Sequence, residues 1–284
     1  TMQFKSINDF LAHVQKELDH NRLILPTLPD IALKVRESVN KDDASSQDIA
    51  DIITTDAVIS ARLIQVANSP LYGGNTEIKS IQLAVSRLGN NTIRTLVTSL
   101  AMRQLFSTKS KALQKQYEKI WQDSINVASI SRALAAFTPY LSADEVMLAG
   151  LMHQIGKLPI LVLVENLPEF KNYPDRLDKL LEKAHRPIAK IIMNAWNLPE
   201  DLKLVASEYG NINYSSGVDL PASYVDVVQV AFFQSIARTN HPANDVDTDS
   251  LLSFHKLGYS SDTEVLEIKG IPETIKCTKT SLSF

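Results

Sequence analysis

The chain has 284 residues, a formal net charge of −3, and 44% hydrophobic against 21% charged residues. That is enough for one large domain or two small ones of ordinary globular composition, and the mild acidity supplies no global field towards nucleic acid or anionic membranes. A single cysteine, Cys277, excludes an intrachain disulfide framework and a cysteine-rich zinc site. It reads as a partly covered tail residue among solvated neighbours, Lys276, Thr278 and Lys279. No apolar run reads as approaching the ~20 residues of a membrane span, and no signal-peptide pattern opens the sequence. The expectation is a cytoplasmic protein with no membrane partner.

In chain order, Ser6 to His20 places Ile7, Phe10, Leu11, Val14 and Leu18 on one helical face. Pro26 and Pro29 interrupt it, with Pro29 and Asp30 suited to the first turn of the next helix. Ser45 and Ser46 start a helix over Gln47 to Thr54, burying Ile49, Ile52 and Ile53. Asp56 caps a further one carrying Val58, Ile59, Leu63, Ile64 and Val66. Pro70, Gly73 and Gly74 make Asn68 to Asn75 a loop. Ile78 to Leu88 is periodic again and stops at Gly89. Thr92 to Phe106 follows, and the lysine-rich Ser107 to Lys115 marks a subdomain boundary.

Beyond it the periodicity predicts helices over Leu113 to Phe137, Asp144 to His153, Leu158 to Glu165, Pro174 to Lys183, Arg186 to Trp196 and Glu200 to Tyr209. A polar loop, Gly210 to Leu220, leads to a last core helix, Ser223 to Thr239. Trp121 and Trp196 read as core aromatics. The expected fold is all-α: a helical part over residues 1–110, a helical bundle over 111–240, and an appendage over 241–284.

Several motifs occur in a fixed order: LPTLPDIA (Leu25 to Ala32), the helix start at Asp56-Ala57-Val58-Ile59, ARLIQVANSPLYG (Ala61 to Gly73), and the Ile78 to Gly89 run. The second half adds Trp121 with Ser124, GLMHQIGKL (Gly150 to Leu158), and AWNLP (Ala195 to Pro199). Over about residues 20 to 240 this pattern resembles the HDOD family, bacterial relatives of the His-Asp metal-dependent phosphohydrolases. The resemblance implies an N-terminal helical subdomain joined to a His-Asp-like bundle, and a signalling or regulatory setting.

Catalytic relatives hold a metal with an early histidine, a His-Asp pair and a late aspartate, and the metal activates a water towards phosphorus. Matched to those positions, this chain has Asp123, His153-Gln154 and Phe232. His185 stands where one subfamily adds a ligand, and Glu208-Tyr209 where that subfamily has paired histidines. A glutamine offers a neutral carbonyl in place of a charged ligand, and Phe232 neither ligates nor carries a proton. The resemblance thus points to a relict pocket of Asp123, His153, Gln154, Lys157, His185, Glu208 and Phe232, with no metal and no catalytic residue. Asp123, His153, His185 and Glu208 remain competent ligand types for one zinc, manganese or iron ion. Read as ordinary core residues, His153 ties helices together, Gln154 bridges where a metal once sat, Gly156 terminates a helix or marks a close contact, and Lys157 binds an anion or pairs with Asp123 or Glu208.

The leading expectation is a non-catalytic signalling domain that binds a protein partner, with or without a small ligand. The loop residues Asn68, Ser69, Tyr72 and Gly73 are the candidate surface, against a plain turn whose asparagine and serine cap the adjoining helices. The alternative is a metal-dependent phosphohydrolase of a nucleotide or cyclic dinucleotide. A helix-turn-helix over Ala84 to Arg103, with Arg87, Arg94 and Arg103, is the third possibility. Against it, Ile93, Leu96, Val97 and Leu100 demand burial, so no nucleic-acid partner is expected.

Overall fold

Side-chain caps open six of the described α-helices. A computed structural model describes residues 6–41, 43–165, 167, 174–237, 239–260 and 263–283. Ser6 accepts from Asp9 N–H and opens α1 (Ile7–Asp19), and α2 (Asp30–Val39) begins directly after Pro29. Ser45 and Asp48 form a reciprocal capping box at α3 (Ser46–Thr54). Asp56 accepts from Val58 and Ile59 N–H at α4 (Ala57–Ala67). Ser80 caps α5 (Ile81–Leu88), so the periodic run begins as a helix later than Ile78, which is buried in the preceding loop. Gly89, at φ 82°, turns the chain directly into α6 (Asn90–Ala101), and a 3-10 turn completes that run to Phe106.

The second half is organised around α7 (Gln114–Leu134). Against it pack α8 (Ala143–Met152), α12 (Tyr224–Ile236) and α14 (Ile271–Leu282). Around them lie α9 (Lys157–Val164), α10 (Pro174–Ala195), α11 (Glu200–Glu208) and α13 (Leu252–Leu257). Among the described residues there is no strand. Helix α6 packs on both α2 and α8 and so joins the two halves. The Trp196 indole donates to the Pro26 carbonyl at 3.0 Å, and α1 packs on α10, adding further ties.

Three expectations need correction. The two helices expected over 174–196 are one, α10, with Pro187 inside it. Leu177, Leu181, Ala184, Ile188 and Ile192 make one continuous buried stripe, and Pro187 sits on the exposed side, where water can satisfy the carbonyl the proline leaves free. Ala143–Val164, 22 residues, does have the length and composition of a membrane span, contrary to the expectation. Its most apolar stretch is 89% buried inside the protein, and the chain breaks between α8 and α9, so packing accounts for the apolarity. Finally, Cys277 lies on α14 and its neighbour Thr278 is fully buried rather than solvated. Residues beyond 240 also supply Leu251, Phe254, Val265, Ile271 and Leu282 to the common core.

Candidate functional site

Two glycines let three helices meet closely enough to build the bundle pocket. A Cβ on Gly150 would fall 2.7 Å from Ala128 Cα, so α8 lies nearly backbone-to-backbone on α7. A Cβ on Gly156 would lie 2.8 Å from Ala189 N and closer still to the His185 carbonyl oxygen. The break between α8 and α9 is therefore pressed onto α10, and His153 and His185 come to the same region. Of the two readings of Gly156, the close-packing point holds.

His153 is fully buried. Its Nδ1 lies 2.6 Å from the Gly150 carbonyl, which can only accept, so Nδ1 carries the proton and donates. Nε2 is then a lone pair, buried and without a partner. That tautomer suits a metal ligand, but rings close around the imidazole. Tyr209 stands edge-on to it with centroids 4.8 Å apart, and Phe232 lies 6.3 Å away. Tyr209 and Phe232 themselves meet edge-to-face at 5.0 Å. The Tyr209 hydroxyl is 3.1 Å from His185 Nε2.

Electrostatics match this dry setting. Burial pulls the His153 pKa down to about 3, and Lys157 adds to the effect. Burial likewise holds His185 well below the usual histidine value and Tyr209 well above the usual phenol value. Both imidazoles are thus neutral at pH 7 and Tyr209 keeps its proton. Gln154 is buried, and its carbonyl oxygen has no hydrogen-bond partner, so the bridge expected of it is not made.

Charge enters the pocket through Lys157 together with two residues the sequence reading did not single out, Glu182 and His241. The Lys157 ammonium pairs with Glu182 on α10, not with Asp123 or Glu208. His241 Nε2 is 3.7 Å from the other Glu182 oxygen, and its ring stands edge-on to Phe232 at 5.5 Å. Burial alone would raise the Glu182 pKa, but the neighbouring His241 and the positive Lys157 override it and hold the carboxyl well below its usual range. Asp123 lies at the exposed edge of this group; partial burial raises its pKa, opposed by Lys119, Lys157 and His241.

The ligand set Asp123, His153, His185 and Glu208 does not converge. Glu208 accepts from Asn211 Nδ2 at 2.7 Å, while its neighbour Tyr209 takes the inward place. Among the described residues, no group of three or more His, Cys, Asp or Glu side chains could hold a metal ion. With Gln154 and Phe232 at the two aspartate positions, the residues present do not fit the metal centre of catalytic relatives.

The loop after α4 is also engaged within the chain. Asn68 Nδ2 donates to the Ile64 and Ile78 carbonyls, and its Oδ1 accepts from Ile78 N–H at 2.8 Å. The Ser69 hydroxyl is buried without a partner, so only the asparagine does the capping expected of the pair. Tyr72 is part-buried; its hydroxyl donates to Asp144 on α8, and the Arg132 guanidinium lies 4.9 Å over its ring. Tyr72 is a latch onto the bundle, which removes it from the free surface expected of this loop; Gly73 remains exposed. In the candidate helix-turn-helix, Arg87 donates to the Thr76 carbonyl, Arg94 faces Glu145, and Arg103 binds Glu118. Ile93, Leu96, Val97 and Leu100 are buried.

Comparison with known proteins agrees with this architecture. The crystal structure of a "putative metal-dependent phosphohydrolase" from Shewanella amazonensis SB2B is 30% identical, with TM-score 0.83, covering 97% of this chain and 99% of that one. An HDOD domain protein of unknown function from Geobacter sulfurreducens is 24% identical, with TM-score 0.65, covering 95% and 96%. An uncharacterized protein of Treponema pallidum (strain Nichols) is 23% identical over 227 residues, 75% of this chain; the match spans 42% of that relative's length. The HDOD domain model matches residues 25–211. The chain belongs to the HDOD domain family.

Proposed function

We propose that the chain is a non-catalytic signalling or regulatory domain of a bacterial, cytoplasmic pathway, acting by binding a protein partner. One observation carries the reading: the Tyr209 and Phe232 rings close on the buried, neutral His153, where catalytic relatives gather charged ligands. The pocket's cation is the chain's own Lys157, neutralised by Glu182. In this reading the pocket is a rigid plug that fixes α9 against α10 and leaves the outer surface for partners. Phosphohydrolase activity stands as the second reading, favoured by the likeness to the Shewanella protein of that printed name.

The test is an assay of protein supplied with manganese, iron or zinc against nucleotides and cyclic dinucleotides, with bound metal counted by elemental mass spectrometry. No turnover and no stoichiometric metal are expected. Metal-dependent turnover that His153→Ala abolishes would overturn the proposal.

A further inference from the structure

The loop between α11 and α12, residues 210–220, holds apolar side chains outward on a fixed frame. Val218 is 75% exposed, Leu220 60% and Ile212 50%. Exposed apolar residues scattered singly need no explanation, but three on one short loop do. The loop is pinned by buried polar groups and cannot simply fold them in. Gln229 on α12 donates from Nε2 to the Tyr209 and Asn211 carbonyls at 3.1 and 3.0 Å, and Ser253 on α13 donates to its Oε1 at 2.7 Å. The Ser216 hydroxyl donates to Asp226 Oδ2 at 2.6 Å, and Lys256 on α13 donates to Ser216 in turn. The Lys256 and Asp226 side chains are themselves buried, 3.9 Å apart. Gly217, at φ 96°, makes the turn that folds Leu220 back: a Cβ there would meet Leu220 Cδ1 at 3.0 Å, and the Leu220 N–H donates to the Gly217 carbonyl at 3.2 Å. Val218 and Leu220 therefore stand on one tight turn.

The rim of this surface is acidic. Asp219, between the two apolar residues, is exposed. Glu208 is tied to the loop through Asn211 at 2.7 Å, and Asp201 lies two helical turns earlier on the same side of α11. Among the described residues, none of these three carboxylates has a cation within ion-pair distance. Lys256 is taken by Ser216 and Asp226, and Arg186 packs against Gly210 without pairing with Glu208. A second copy of this chain, of net charge −3, would bring its own acidic rim against this one, so the charge favours a basic partner over self-association.

We propose that the loop over residues 210–220 docks a basic, apolar segment of a partner protein, with Val218 and Leu220 as apolar anchors and Asp219 and Glu208 facing its cations. The proposal rests on the reading of the chain as a partner-binding domain and locates the surface. Because the loop is already fixed, little ordering is lost on docking.

The probes are two synthetic helical peptides with the same leucine stripe, one carrying lysine and the other glutamate at the remaining positions. Each is labelled and titrated with the whole chain by fluorescence anisotropy. Saturable binding of the lysine peptide is expected, weakened about tenfold or more by Leu220→Ser, since burial of one such side chain carries at least that factor. Val218→Ser should give a similar loss without touching the Gly217 contact. Asp219→Lys should weaken the lysine peptide and improve the glutamate peptide. Val58→Ser, at an exposed apolar residue of α4, should leave both unchanged. No saturable binding, equal binding of the two peptides, or binding that the loop variants leave intact overturns the proposal. So does a wild-type dimer in sedimentation velocity that Val218→Ser dissociates, which assigns the loop to a second copy. Binding indifferent to the loop variants sinks this surface alone, whereas metal-dependent turnover lost in His153→Ala sinks the regulatory reading beneath it.

Discussion

Replacing Gly156 by alanine tests how tightly the pocket is clamped. The residue has φ −65° and ψ −14°, ordinary right-handed backbone, so alanine suffers no conformational penalty. Judged on chain entropy alone, the change would stabilise by about 0.4–1 kcal/mol. Packing opposes it. The new methyl would sit 2.8 Å from Ala189 N and nearer still to the His185 carbonyl oxygen, and both are backbone atoms of α10 that cannot rotate away. A comfortable contact needs ~3.5 Å, so α9 and α10 must separate by roughly 0.7 Å or more. Overpacking of this kind costs about 1–3 kcal/mol, and the upper end applies where no side chain can yield. The expected net loss is about 2 kcal/mol, read from urea unfolding followed by circular dichroism. Gly74→Ala is the control, since its methyl meets only Arg87 Nη1 at 3.6 Å; it should stay within about 0.5 kcal/mol of wild type. A Gly156→Ala protein as stable as wild type would refute the clamp and the pocket geometry built on it.

Acid should weaken the fold through its buried histidines. Both have folded pKa values below the unfolded one, His153 at about 3, so their contribution is complete above the unfolded value and is lost as pH falls from there towards the folded value. Unfolding free energy should drop by roughly 1.4 kcal/mol per pH unit for each histidine below pH ~6.5; His153→Gln should remove one share of that slope, and an unchanged slope would show the ring is not held neutral. Lys157→Met should cost about 1–3 kcal/mol, less than a fully buried pair because the Glu182 side chain is 31% exposed. Adding Glu182→Gln should restore part of that loss, whereas strictly additive losses in thermal melts would count against coupling. Tyr72→Phe removes one hydrogen bond to Asp144 and should cost about 1 kcal/mol, with no effect on stability meaning the latch is not closed in solution.

Helix starts were legible because their signals are local. Ser6, Ser45, Asp56 and Ser223 each cap from within three residues. The family resemblance likewise singled out His153 and His185, which the fold brings together around Tyr209. What it could not show is which residue of a pair faces inward. Glu208 and Tyr209 are adjacent in sequence, yet the helix end turns Tyr209 to His153 and leaves Glu208 to Asn211. Glu182 and His241 escaped notice for a related reason. Glu182 lies on a charged helical stretch that looks like a solvated face, and His241 lies in a segment read as an appendage; only the packing of α10 beside Lys157 makes them a pair. The same holds for Pro187, whose local cost is overruled by the buried stripe of α10. In this protein the chemistry of the pocket depends largely on contacts between different helices, as between Lys157 and Glu182, 25 positions apart. A family signature therefore identifies the scaffold and its histidines, while the packing of distant elements decides what surrounds them.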